Sequence, residues 1–358
     1  MSRAVLVAAL AVGLGATAAP ARASVWSDAT GNAMASAREE SYQKALKLGD
    51  DAALQADQAT MKRADQERQI DAAITLYTAA AETKPTAGEP YARIGKLLFS
   101  MYFEACEADS LVSSRITSRS PLCPAAAFGA QQSDPALINT LPKLHARAEQ
   151  LIAAWATFEA RSPMDPRIDH SFLFERAILN TKLATTPHLE AAARDYEAIL
   201  RRYGGDNDES TYGNLAETYM MLGRLDDAIA RYERAVAQGG NSAAFGLAVA
   251  LDRDERNEAA RNLILEAGPD QYRAFLNQVA SFTWFFVPPG EKFYYLALCE
   301  ETFGELDAAY EDWQKFIKSG AHPMYQPRAK SHLAQLDVQR KVRPKILRPT
   351  LPFDPFDE

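Results

Sequence analysis

The stretch that decides the fold runs Tyr212-Gly213-Asn214-Leu215-Ala216-Glu217-Thr218-Tyr219, turns at Gly223, and resumes as Ala228-Ile229-Ala230-Arg231-Tyr232-Glu233-Arg234-Ala235. Apolar residues recur at spacings of three and four in both halves, which predicts two amphipathic helices joined by a tight turn. Ala216 and Ala228 are twelve residues apart, one on each helix. Small residues at those positions let antiparallel helices approach closely, and the large side chains beside them fill the flanking holes.

The same twelve-residue spacing recurs outward along the chain. Ala248 and Ala260 are followed by Ile264 and Ala267, and Ala297 and Ala309 by Trp313 and Phe316, with Phe293, Leu296 and Gly304 in register. Toward the N-terminus, Ala73, Tyr77 and Ala80 end a unit at Pro85, and Tyr91, Ile94, Gly95 and Leu98 open the next. Residues 170–203 form a looser unit, marked by Ala192, Tyr196 and Ile199, whose turn is lengthened around Pro187. Alternating runs of β-branched residues are absent, so no strand is predicted. This pattern resembles the tetratricopeptide repeat (TPR) family over about 54–105 and 170–340. The resemblance implies an all-α, TPR-like superhelix (an α-solenoid), here with inserted non-repeat helices, and it implies protein binding.

Departures from the pattern divide the chain. A second helix is expected near Glu107 but is poorly patterned, and Ser113 to Pro135 is rich in Ser, Pro and Gln. Helical periodicity returns from Leu141 to Glu159 without the repeat signature. Ala248 and Ala297 are 49 residues apart, which leaves room for an extra helix at 270–282 before Trp284-Phe285-Phe286-Val287-Pro288-Pro289-Gly290. That aromatic cluster reads as a core plug or as a patch for a partner. The expected organisation is therefore 1–23, a signal peptide; 24–112, N-terminal helices with repeat units; 113–160, an insertion and a non-repeat helix; 161–341, a C-terminal array; and 342–358, a tail.

The signal peptide is read from Met1-Ser2-Arg3, the uncharged run Ala4 to Ala19, and the small-x-small site Ala21-Arg22-Ala23. The run falls short of the roughly 20 residues that span a bilayer, so cleavage after Ala23 is expected over anchoring. No Cys lies in this region for lipid attachment. An exported bacterial protein of the periplasm or cell envelope is the expectation. The 358-residue chain has a formal charge of -8, and losing Arg3 and Arg22 makes it more acidic still. No basic stripe is present for phosphate neutralisation, so nucleic acid is not an expected partner.

Export colours the reading of the three cysteines. Cys106 and Cys123 lie in the irregular segment, where an oxidising compartment favours a disulfide that would contribute about 3 kcal/mol; two buried thiols that never meet are the alternative. Cys299 sits among Leu296, Ala297 and Leu298 and reads as a core residue. The histidines are scattered, with none in the spacing of a zinc site, and no phosphate loop or nucleophile turn is present. Asp206-Asn207-Asp208-Glu209 lacks the spaced ligands of a calcium loop and reads as a helix start. No cofactor or metal is expected.

If the resemblance holds, the first helix of each pair builds a concave wall. Its early part would be Glu89, Ala92, Lys96 and Phe99, continued by Gly213, Glu217, Met220 and Met221, then Phe245, Val249 and Arg253, then Tyr294, Leu298 and Glu301. Met220, Met221, Phe245, Val249, Tyr294 and Leu298 make its later part apolar and suited to a peptide. The competing reading has the inserted helix filling this groove from within. The tail, Pro352-Phe353-Asp354-Pro355-Phe356-Asp357-Glu358, cannot continue a helix, and Phe353 and Phe356 are its candidate docking anchors. The function expected is a non-enzymatic scaffold or adaptor for proteins of the envelope. A glycan or small-molecule binder using the aromatic wall at Tyr294, or an accessory lobe of an envelope enzyme, is the alternative.

Overall fold

A computed structural model describes residues 25–58, 61–104, 135–204, 208–240, 242–280 and 286–342. Among them every regular element is helical, as the spacing predicts. The helices are α1 (Val25–Ala56), α2 (Arg63–Thr83), α3 (Glu89–Phe99), α4 (Pro135–Thr140), α5 (Pro142–Arg161), α6 (His170–Leu183) and α7 (Thr186–Tyr203). They continue as α8 (Glu209–Met221), α9 (Leu225–Ala237), α10 (Ala243–Arg253), α11 (Asn257–Ala280), α12 (Lys292–Phe303), α13 (Leu306–Ser319) and α14 (Gln326–Val342). Each packs chiefly on its neighbour in sequence: α1 on α2, α6 on α7, α8 on α9, α10 on α11, α12 on α13, with α14 against α13. The chain is an all-α, TPR-like stack of helix hairpins.

The turn chemistry follows the sequence. Asp169 and Asp208 cap α6 and α8 by accepting from the Phe172 and Thr211 amides at 2.9 and 3.1 Å, which gives Asp208 the helix-start role read for it. Pro90, Pro142 and Pro187 occupy first turns, where no amide is missed. Gly304 and Gly320 end α12 and α13 in the left-handed conformation.

Two helices differ from expectation. The region near Glu107, where a second helix is expected, lies outside the described residues; among the described residues α3 packs side by side with α5. A Cβ on Gly95 would lie 2.4 Å from Trp155 Cδ1, so only glycine admits that indole. The Ser/Pro-rich segment is therefore inserted inside a hairpin, and α5 belongs to the repeat. The helix expected at 270–282 is the second half of α11, which breaks at Gly268 (φ 77°, ψ 171°) ahead of Pro269. Tyr272, Phe275 and Val279 then turn into the core.

The interior is divided along the stack. One cluster joins α1 to α5, with Tyr77, Leu98 and Trp155 at its centre. A larger one runs from α6 to α14 around Tyr196, Tyr219, Tyr294, Trp313 and Phe316. Burying each such ring contributes on the order of 2 to 3 kcal/mol. Phe172 joins the two, 5.2 Å from Trp155 and 6.0 Å from Phe158. Cys299 is a buried thiol whose pKa burial pushes up. Among the described residues no helix is long and apolar enough to cross a membrane. The signal peptide, Cys106, Cys123, Phe353 and Phe356 lie outside the described residues.

Candidate functional site

The later wall is not open to solvent. Met220, Met221, Phe245, Val249, Tyr294 and Leu298 are all buried, which corrects the expectation of an exposed apolar groove. Three parts of the chain itself cover them. Phe275 of the kinked helix stacks on Phe245 at 4.8 Å, with Tyr272 at 6.2 Å. Val287 packs with Leu189 and Met221. The Tyr325 hydroxyl donates to the Met220 carbonyl at 3.1 Å, joining residues 105 positions apart. The earlier wall is more open: Lys96 is exposed, Glu89 holds Arg93 and Arg167 at 2.8 and 2.7 Å, and Phe99 lies 5.5 Å from Trp155.

Beneath the closed wall lies a polar cluster that no spacing in the sequence announces. Arg253, at the end of α10, is fully enclosed; its Nη2 is 2.5 Å from Glu291 Oε1, and its guanidinium stacks 4.4 and 4.0 Å from the Tyr294 and Tyr325 rings. Glu217 Oε2 accepts from Tyr232 and Tyr295 at 2.6 and 2.7 Å. Burial, reinforced by the negative charge of Glu291, pushes the Glu217 pKa up. His322 Nε2 stands 3.6 Å from Glu291 Oε2, and burial followed by the Arg253 charge lowers the imidazole to about 4. Within this cluster Glu217 Oε1, Glu291 Oε2, Arg253 Nε and His322 Nε2 are buried and make no hydrogen bond. A polar atom buried without a partner costs about 1 to 3 kcal/mol.

A second cluster next to it is fully paired. Asp252 accepts from Tyr294 at 2.7 Å, from Arg328 at 2.6 and 3.2 Å, and from His332 at 3.1 Å. The other nitrogen of His332 meets Glu301 at 2.9 Å, and its ring stacks on Trp313 at 4.6 Å. Burial lowers the His332 pKa, but hydrogen bonds to Asp252 and Glu301 outweigh it and lift the group to about 9. His332 is thus an imidazolium at neutral pH, tying α14 to α10 and α12.

An open cleft of about 330 Å³ lies elsewhere, between α5 and α7 with α6 as its floor. Arg176 on the floor is held by Asp195 at 2.7 and 2.6 Å and by Glu159 at 2.8 Å. Small Ala156, Ala191 and Ala198 line its walls beside Ile152 and Arg194. Arg176, Asp195 and Glu159 are spent on one another, exposed Arg194 stands at the cleft's edge, and no nucleophile with an adjacent base faces the cleft. Among the described residues no group of three or more His, Cys, Asp or Glu side chains is placed to hold a metal ion.

Wall positions read from the sequence reach this geometry in part. Glu217 and Arg253 stand where the repeat register puts them, but inside the protein. Glu291, His322 and Tyr325 were not found by spacing, because they sit on connections between repeats. The one available signal was the pair Asp252-Arg253 closing the apolar run Ala243–Leu251.

No family model matches the sequence, and no curated protein matches it. Among solved structures, that of yeast Tom70 aligns with 12% sequence identity and a TM-score of 0.32, over 90% of this chain and 62% of that one. The chain thus spans less than two thirds of that structure's length, and the fold stands on its own helix pairing.

Proposed function

We propose that this chain is a non-enzymatic scaffold that is exported and holds a protein segment in the cell envelope. The observation that carries the reading is the stack of hairpins itself: the interior acids and bases are locked into packing, while the α5–α7 cleft is left for contact. The glycan alternative loses its main residue, because the Tyr294 ring is buried against Arg253 and its hydroxyl is held by Asp252. Export is supported by the Arg3, Ala4–Ala19 and Ala21-Arg22-Ala23 pattern, and the tail adds Phe353 and Phe356 as anchors. Affinity purification from envelope extracts tests the reading, with the full chain compared with a chain lacking Lys341–Glu358 and with Ala198→Arg in the cleft. The expected result is a defined partner that one of these changes removes while the helical circular dichroism stays the same. The same partner list for all three would overturn binding through the tail and the cleft. Edman sequencing of the periplasmic fraction should begin at Ser24.

A further inference from the structure

The closed wall is held shut by two connections that meet on one residue. Phe286–Glu291 delivers Val287 onto Met221 and Glu291 onto Arg253. Ala321–Tyr325 delivers Tyr325 onto the other side of Arg253 and onto the Met220 carbonyl. His322, in the second connection, has φ 39°, a left-handed conformation that costs a non-glycine residue. It faces Glu291 of the first connection across 3.6 Å. Neighbouring helices such as α12 and α13 close on Trp313, Phe316 and other dry aromatic contacts, whereas this closure leaves four buried polar atoms unpaired. Lifting the connections would hydrate those atoms and relax His322, which offsets part of the cost of opening this closure.

We propose that Phe286–Glu291 and Ala321–Tyr325 form a self-docked latch, joined through Arg253, that opens as one unit and uncovers Arg253 as an anchor for a carboxylate on an extended partner segment. The carboxylate is inferred from the occupant: in the closed state Arg253 holds Glu291, at the end of Phe-Val-Pro-Pro-Gly-Glu. Arg253 then projects from a wall that also carries Met220, Met221 and Tyr294. The partner half of the proposal rests on the scaffold reading; the latch does not.

Hydrogen exchange of the full chain in increasing urea tests the latch without any partner. The amides of Glu291 and Tyr325, bonded to the Pro288 and His322 carbonyls at 2.9 Å, report the two connections. Both should exchange through one opening, at least tenfold faster than the amides of α8 and α10. Glu291→Gln, which keeps the side-chain shape and removes the charge, should speed both amides together. Exchange of either only with global unfolding, or a response of Glu291's own connection alone, would overturn the latch. The anchor is tested with a synthetic hexapeptide of residues 286–291 and its Gln-ended form, added to the Glu291→Gln chain. Binding of the acidic peptide at least tenfold tighter than the Gln form, and weaker to the unaltered chain, is expected. Equal binding of the two peptides, or none, would remove Arg253 as a carboxylate anchor while leaving the exchange result to stand or fall by itself.

Discussion

His332 shows how much one side chain does when both its nitrogens face carboxylates. Only the imidazolium donates to Asp252 and Glu301 at once, so the folded chain binds this proton more tightly than the unfolded chain does. With the folded pKa near 9 against about 6.5 unfolded, the group contributes about 3 kcal/mol. That contribution is complete below the unfolded value and is lost as pH rises through about 9. Replacing His332 by Gln should therefore lower the unfolding midpoint at pH 6 to 7 and flatten the alkaline limb of a stability-against-pH profile, measured by urea titration. Glu217 behaves in the same sense for a different reason. Its raised carboxyl costs stability as pH rises above the ordinary glutamate range, because folding then buries either a charge or a proton held against solvent. Glu217→Gln still accepts from Tyr232 and Tyr295, so thermal scans at pH 5 and pH 8 should show a smaller fall than in the unaltered chain. A pH dependence unchanged by both substitutions would place the titrating groups elsewhere.

At the scale of the helix, close approach is set by which residue is small and by what lies opposite. A Cβ at Gly246 of α10 would lie 2.4 Å from the Tyr232 ring, and that ring is fixed by its hydroxyl on Glu217. Gly246→Ala should cost about 1 to 3 kcal/mol, the range for overpacking a filled site. Gly213 of α8 also lies within a helix, but nothing is within 4 Å of its Cβ position. Gly213→Ala should instead gain about 0.5 to 1 kcal/mol from helix propensity. Opposite signs in a urea midpoint comparison check the pair. The hairpins built on Ala216 and Ala228, or Ala297 and Ala309, were legible because the small residues keep their register. The hairpin of α3 and α5 was not, since Trp155 stands over Gly95 and an insertion breaks the count between them. The kink at Gly268-Pro269 hid that one continuous stretch serves two packing directions. The polar cluster was the least legible part, as Glu217, Arg253, Glu291 and His322 belong to four elements and meet only when the repeats stack.

Across the whole molecule the stack is uneven in how deeply its long ties are buried. From α8 to α14 the ties are long: Met220 to Tyr325, and Asp252 to Arg328 and His332, span 105, 76 and 80 positions. From α1 to α5 the helices pack around Leu98 and Trp155, and a tie such as Arg147 to Asp71, across 76 positions, reaches as far but ends on an exposed carboxylate, as does Lys84 to Glu39. Stacked repeats transmit stability through nearest-neighbour interfaces; the halves meet at Phe172, at Leu179 and Leu183, and through Arg176–Glu159 and His188–Glu149, while the apolar interior on either side divides into two clusters. Two cooperative blocks follow, the C-terminal one drawn together by its cross-links. Trp155 and Trp313 report one block each, and fluorine spectra of a 5-fluorotryptophan-labelled chain resolve them in a single urea titration. Trp313 should hold its folded signal to higher urea than Trp155. Gly95→Ala, which forces the Trp155 indole away from α3, should lower the Trp155 midpoint and leave that of Trp313 in place. One midpoint shared by both, moving together in the variant, would mean that Phe172 couples the halves into a single unit.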